Sequence, residues 1–150
     1  MKKIGALIVV LGIGIIGYAQ NNTEEEAIKV LLKKESATWR AKDVAGHADC
    51  WQIRPYSRIL VSTGNGQVID VPPMAMIHPK PENMGDGGTS VNSNYTFSIQ
   101  ANSAWVSHEE LSISAAGKQT KTYEIRLLEK INGQWKLVGQ SIMVQQPIVQ

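Results

Sequence analysis

The dipeptide Asn132-Gly133 is the strongest constraint on what this chain can fold into. Both residues tolerate the positive φ angles of a tight reversal, so Asn-Gly between two strand-forming runs marks a hairpin. The flanking runs are Thr120–Lys130 and Gln134–Gln145. A second turn, Ala116-Gly117-Lys118, leads back to Ala104–Ser114, and Asn94–Gln100 is a further strand before it. Consecutive hairpins predict an antiparallel sheet over the last third of the chain.

The first half has a different period. Thr23 and Glu26 have the spacing of a capping box, in which each side chain satisfies the other residue's backbone N–H. Ile28, Leu31, Leu32, Glu35 and Trp39 follow at helical spacing and predict a helix from about Glu24 to Lys42. Glu35 interrupts the apolar face. Lys33, Lys34, Arg40 and Lys42 gather toward the C-terminal end, where the helix dipole favours cations. Asp43 is a second N-cap, for a short helix over Val44–Trp51 with Val44, Ala48 and Trp51 on one side, ended by Pro55. Tyr56–Val61 then reads as a strand, Thr63–Gly66 as a turn and Gln67–Val71 as the return. Helices first and a meander later is an α+β order, with the helices packed on one face of the sheet. Between the two halves, Pro72, Pro73, Pro79, Pro81, Gly85, Gly87 and Gly88 leave room for one helical turn at Met74–Ile77. Such a stretch is either a functional loop or a tolerated surface insertion.

The N-terminus reads as an address. Lys2 and Lys3 precede an unbroken apolar run, Ile4–Ile16, and Gly17-Tyr18-Ala19 offers small residues before a cleavage point at Gln20. The apolar run is shorter than the roughly 20 residues of a bilayer-spanning helix. We expect residues 1–19 to be a secretory signal peptide and residues 20–150 to be one domain, periplasmic or secreted. Gln20 rather than a cysteine stands directly after the cleavage point, so no lipid anchor is expected. Losing Lys2 and Lys3 lowers the basic residues from 15 to 13, which matches the 13 acidic ones. The net charge of +2 therefore belongs to the export segment. A neutral domain lacks the dense basic patch that nucleic acid or anionic lipid requires, so neither nucleic acid nor, after cleavage, membrane is an expected partner. The single cysteine, Cys50, allows no internal disulfide and no Cys-based zinc site. It reads as a small buried residue. His47, His78 and His108 share no ligand spacing, and no phosphate-binding or dinucleotide motif occurs, so neither metal nor cofactor is expected.

Several of these segments carry a family resemblance. Trp39-Arg40-Ala41-Lys42-Asp43 closing a capped helix, Ala48-Asp49-Cys50-Trp51, Asn102-Ser103-Ala104-Trp105-Val106, and the hairpin Glu124–Val138 with Gly133-Gln134-Trp135-Lys136-Leu137-Val138 resemble the nuclear transport factor 2-like superfamily. That superfamily includes SnoaL-like polyketide cyclases, ketosteroid isomerases and kinase association domains. Cys50-Trp51 followed by Pro55-Tyr56 resembles a sub-group of exported proteins from Bacteroidota-like bacteria. The resemblance spans nearly all of Glu24–Val144. It implies a cone-shaped, strongly curved antiparallel sheet wrapped around N-terminal helices, a pocket at the open end, and a homodimer through the outer face of the sheet. The family's third helix would fall at Val71–Ile77, where the prolines depart from the pattern.

Alternation on the strands locates candidate pocket residues. Ala104, Val106, His108, Glu110 and Ser112 share one face, and Glu124, Arg126 and Leu128 share another. The resemblance to the kinase association domain implies pocket positions at Glu110 and Arg126, paired across the hairpin. His108, Glu110 and Arg126 are thus a candidate polar cluster, with an exposed cross-strand ion pair as the alternative. Trp51 and Tyr56 are candidate ligand contacts, as are Trp39, Met74, Met76, Trp105 and Trp135, though most such residues belong to a core. Glu35 is the one candidate for acid–base catalysis. By the resemblance it takes the place of a hydrogen-bonding tyrosine in ketosteroid isomerases; the alternative is a glutamate reaching solvent at the stripe's edge. The isomerase's carboxylate base has no counterpart between Arg54 and Gln67.

Three functions follow. The first is a non-enzymatic exported domain that binds a small apolar or mixed-polarity molecule, or a partner. The second is an acid–base enzyme acting on an apolar carbonyl compound, which requires Glu35 to be buried beside a pocket. The third is an oligomerising module whose cavity is filled by Trp and Met side chains. The absence of a complete catalytic set favours the first.

Overall fold

The computed structural model describes residues 13–145, with side chains described from residue 22 onward. Residues 1–12 of the expected signal peptide lie outside the described residues. The fold opens with a long helix, α1 (Ile13–Arg40). It runs unbroken through the expected cleavage point and through Thr23, so the expected capping box is not a helix start. Inside a helix, backbone N–H groups already point at the carbonyl four residues back. Glu24 instead accepts hydrogen bonds from Lys130 Nζ and, at 2.7 Å, from Trp135 Nε1, tying α1 to the last hairpin. Ile28, Leu31, Leu32 and Glu35 turn inward together, as their spacing requires.

Helix α1 stops where Lys42 takes a left-handed φ of 57°. Asp43 then caps α2 (Val44–Asp49), accepting from the Gly46 N–H at 2.9 Å. A Cβ on Gly46 would lie 2.2 Å from the Asp43 carboxylate, so the glycine makes room for its own cap. The helix is shorter than expected and its inward face differs. It buries His47, with Cys50 and Trp51 following into the core, while Val44 and Ala48 stay half-exposed.

Six strands form one curved, unclosed sheet. They are β1 (Ile59–Ser62), β2 (Val68–Val71), β3 (Thr89–Gln100), β4 (Ser103–Ile113), β5 (Gln119–Ile131) and β6 (Gln134–Val144), in the order β2-β1-β6-β5-β4-β3. The expected antiparallel arrangement holds except between β1 and β6, which run parallel. The β1–β2 hairpin arrives from the helical layer and seats on the otherwise free edge of β6. Irregularities in register at Ser93/Thr96 and Leu127/Leu128 bend the long strands. Their concave side meets α1 over a core that includes Ile28, Leu32, Ile59, Val106, Leu128 and Leu137.

The proline- and glycine-rich stretch is no surface insertion. Two 3-10 turns, Pro73–Met76 and Pro81–Asn83, shape it, and Met76 and Met84 are buried. The Gly87 N–H donates to the Arg40 carbonyl at 3.0 Å. Gly88 has a φ of +84° and lies so close to β4 that a Cβ would sit 2.0 Å from the Ile113 oxygen. The stretch is thereby fastened to both α1 and β4.

Candidate functional site

A cavity of about 920 Å³ opens between the C-terminal half of α1, the concave side of β4–β6, the β1–β2 hairpin and the segment 72–88. This is the size range of pockets that enclose drug-sized ligands. One wall is apolar, built by Ile59, Val61, Ile69 and Val71 from β1 and β2 with Ala75, Met76 and Ile142. The opposite wall carries the hydroxyls of Ser112, Thr120 and Thr122. The polar floor comes from α1 and β4–β6.

Arg126 is at the centre of that floor and is almost wholly buried. Its guanidinium donates through Nη1 to Gln140 Oε1 and through Nη2 to Glu124 Oε2. The Glu35 carboxylate lies 3.5 Å from Nη1. Burial disfavours its charge, but Glu124, Glu35 and Glu110 outweigh this and hold the guanidinium above its ordinary pKa. Glu35 is 5% exposed, so it does not reach bulk solvent at the edge of the stripe. Burial pushes its carboxyl up to about 7; Arg126 and Arg40 oppose the shift, while Glu124 and Glu110 add to it. On its other side Glu35 lies 3.8 Å from His47 Nδ1. His47 is itself packed against Trp39, with ring centroids 5.0 Å apart.

Glu110 and Arg126 both point inward, as alternation predicts, but they do not pair. The turn at Gly117 sets Glu110 opposite Thr122 and Val106 opposite Arg126, a separation of four residues, or roughly 13 Å along the strand. Glu110 is instead held by Ser36 at 2.5 Å, Ser112 at 2.7 Å and Arg40 at 3.2 Å. Burial raises its pKa, yet the Ser36 and Ser112 hydroxyls and the arginines win and hold the carboxyl below its ordinary value. Arg40 also donates to Ser36 and Ser90.

The other candidates lie elsewhere. His108 is buried behind the floor rather than on the cavity, stacked on Tyr95, with Nε2 3.5 Å from Glu124 Oε2. Burial and Arg126 lower its pKa, which favours the neutral imidazole. Trp51 is a core residue against His47, because α2 ends early and turns its ring beneath the sheet. Tyr56 is 65% exposed and donates to Glu129 on the surface, since β1 begins only at Ile59. Trp105 faces outward and Trp135 anchors Glu24. Cys50 is fully buried, and burial pushes its thiol up to about 11, far from a reactive thiolate. Among the described residues no three His, Cys, Asp or Glu side chains are grouped to hold a metal ion.

Five residues of the site went unmarked by the sequence: Ser36, Arg40, His47, Glu124 and Gln140. Glu124 shares Arg126's strand face, so alternation carries a signal for it. Ser36 and Arg40 are four positions apart and share a side of α1 with each other, next to the face that carries Glu35. Gln140 has no such signal. Counting back from Asn132-Gly133 puts Gly139 opposite Arg126, and only the irregularity at Leu127/Leu128 shifts Gln140 into that place.

Solved structures with this architecture agree on the fold. A nuclear transport factor 2-like protein with a cystatin-like fold from Novosphingobium aromaticivorans superimposes with a TM-score of 0.67 at 11% identity, covering 95% of each chain. A cystatin-like protein of unknown function from Nostoc punctiforme gives a TM-score of 0.63 at 14% identity, over 83% of this chain and 95% of its own. A nuclear transport factor 2-like protein of unknown function from Shewanella baltica gives 0.62 at 13% identity, over 83% and 96%. No protein-family model and no curated protein matches the chain. At these identities the likeness establishes a nuclear transport factor 2-like, cystatin-like fold and leaves function to the site.

Proposed function

We propose that the chain is an exported, small-molecule-binding domain that holds a mostly apolar ligand in its cavity, with the ligand's polar end on the Glu35–Arg126–Gln140 floor. The observation that carries this reading is the open cavity itself, with an apolar wall and buried charges beneath it. An oligomerising module with a filled interior would not keep such a space, because unfilled volume forfeits packing energy. Native mass spectrometry of protein purified without denaturation tests the reading. A bound mass that is released on unfolding is the expected result. Val61→Trp, which fills the apolar wall, should abolish it while leaving the circular dichroism spectrum unchanged. Retention of the bound mass by this folded variant would place the ligand elsewhere.

A second reading has one specific observation in its favour. Glu35 meets the condition set for an acid–base enzyme: it is buried, it lies on the cavity, and its carboxyl is poised near 7. The two readings separate on the fate of the ligand, since an enzyme would convert it on incubation and a binding domain would return it intact.

A further inference from the structure

The charges beneath the cavity do not balance, and the imbalance bears on what the cavity accepts. Three carboxyl groups line its interior, Glu35, Glu110 and Glu124, against two guanidinium groups, Arg40 and Arg126. Each arginine is already committed. Arg40 is bound by Glu110, and Arg126 lies between Glu124 and Glu35 with Gln140 on its remaining side. The Arg126 Nε is buried without a hydrogen-bond partner. Glu110 and Glu124 are likewise committed: Ser36, Ser112 and Arg40 hold the first, Thr122 and Arg126 the second. Glu35 is the acid left over, with Arg126 at 3.5 Å and His47 at 3.8 Å as its nearest charged or titratable contacts. The lysines of the cavity, Lys80 and Lys118, are exposed at its rim.

Resting on the ligand-binding reading above, we infer that the cavity is selective for amines: an ammonium group on an apolar body, docked against the Glu35 carboxylate beside Trp39. A ligand carboxylate meets the opposite situation. Every interior cation already faces an acid, so the ligand would bring an uncompensated negative charge into a buried site, which is costly. An alcohol neither gains nor loses from the surplus. The ammonium ion completes the neutralisation, and the Trp39 ring at the cavity wall offers an additional cation–π surface.

Protons report on this arrangement. The charged and titratable groups facing Glu35 are Arg40 on α1, His47 on α2, Glu110 on β4, and Glu124 and Arg126 on β5, with His108 behind Glu124. Burial lowers the pKa of His47 and His108, while it pushes the Glu35 carboxyl up to about 7, so that among the groups facing the floor it is Glu35 that is drawn toward neutrality. An ammonium ion must find Glu35 ionised, so amine affinity rises with pH through that range.

Isothermal titration of the full-length protein with octylamine, octanol and octanoate tests the inference, because the three share one apolar chain. Octylamine should bind at least about tenfold tighter than octanol near pH 8, with octanoate weakest. Its affinity should climb about tenfold from about pH 6 to about pH 8, as expected for a carboxyl titrating midway between them, while octanol stays flat. Glu35→Gln should bring octylamine within about twofold of octanol, with an unchanged circular dichroism spectrum showing the variant to be folded. Equal binding of all three by the unmodified protein overturns amine selectivity and leaves the ligand-binding reading standing. Tighter binding of octanoate, or an amine preference that survives Glu35→Gln, overturns it as well. Binding of none of the three overturns it together with the apolar cavity as a ligand site.

Discussion

At the scale of single residues, Glu35 and Arg126 set the character of the interior. Burial raises the Glu35 carboxyl from 4.5 to about 7. Between those values the folded chain holds a proton that the unfolded chain has released, so this residue's contribution to stability falls as pH rises through the window. The whole loss is on the order of 3 kcal/mol. Glu35→Gln cannot ionise, and its stability relative to the parent should therefore improve on going from about pH 5 to about pH 8. Urea unfolding at the two pH values measures the difference, and parallel losses in both proteins would contradict it. Alternation assigned Glu110 and Arg126 to strand faces, and the family resemblance pointed those faces inward against the alternative of an exposed ion pair. Their partners were not legible. A partner depends on register, register depends on the turn and on the irregularity at Leu127/Leu128, and a shift of one position exchanges Gly139 for Gln140.

At the scale of elements, the segment between β2 and β3 is fixed by its glycines rather than merely interrupted by them. Gly88 and Gly117 both have positive φ, +84° and +81°, but a Cβ on Gly88 meets the Ile113 backbone at 2.0 Å and one on Gly117 meets nothing. Gly117→Ala should cost about 1 kcal/mol, the strain of the backbone angle alone. Gly88→Ala should cost about 3 kcal/mol or more, because the strand or the segment must also move. Hydrogen exchange should then show faster exchange in residues 72–88 for Gly88→Ala and no such change for Gly117→Ala; identical profiles would mean the segment is not held at that point. The two helices and the four long strands were readable because their signals are local: capping residues, a helical period, Asn-Gly. The limits of α1 and α2 were not. Thr23 has the chemistry of a cap but lies inside a helix that already runs through residues 13–22, and α2 turns His47 inward because Trp39 and Trp51 receive it there. The segment 72–88 was unreadable for a related reason. Prolines and glycines signal that a chain is irregular, and they do not say what it covers.

At the scale of the whole molecule, the two faces of the sheet have different uses. The concave face holds the cavity, while the convex face exposes Trp105 beside Leu127 and Tyr123 beside Met143, each pair in register across neighbouring strands. A second copy of the chain would cover these side chains, which fits the dimer implied by the family resemblance. The double variant Trp105→Glu, Leu127→Glu should sediment as a monomer where the unmodified protein sediments as a dimer, with an unchanged circular dichroism spectrum. A monomeric unmodified protein at micromolar concentration would remove this proposal. The parallel β1–β6 pairing has a consequence in time. It joins residues about 80 positions apart, a contact that no local propensity can form early. The apolar wall of the cavity thus hangs on a pairing between distant segments, so it is assembled late in folding, and fraying of β6 is what would open it.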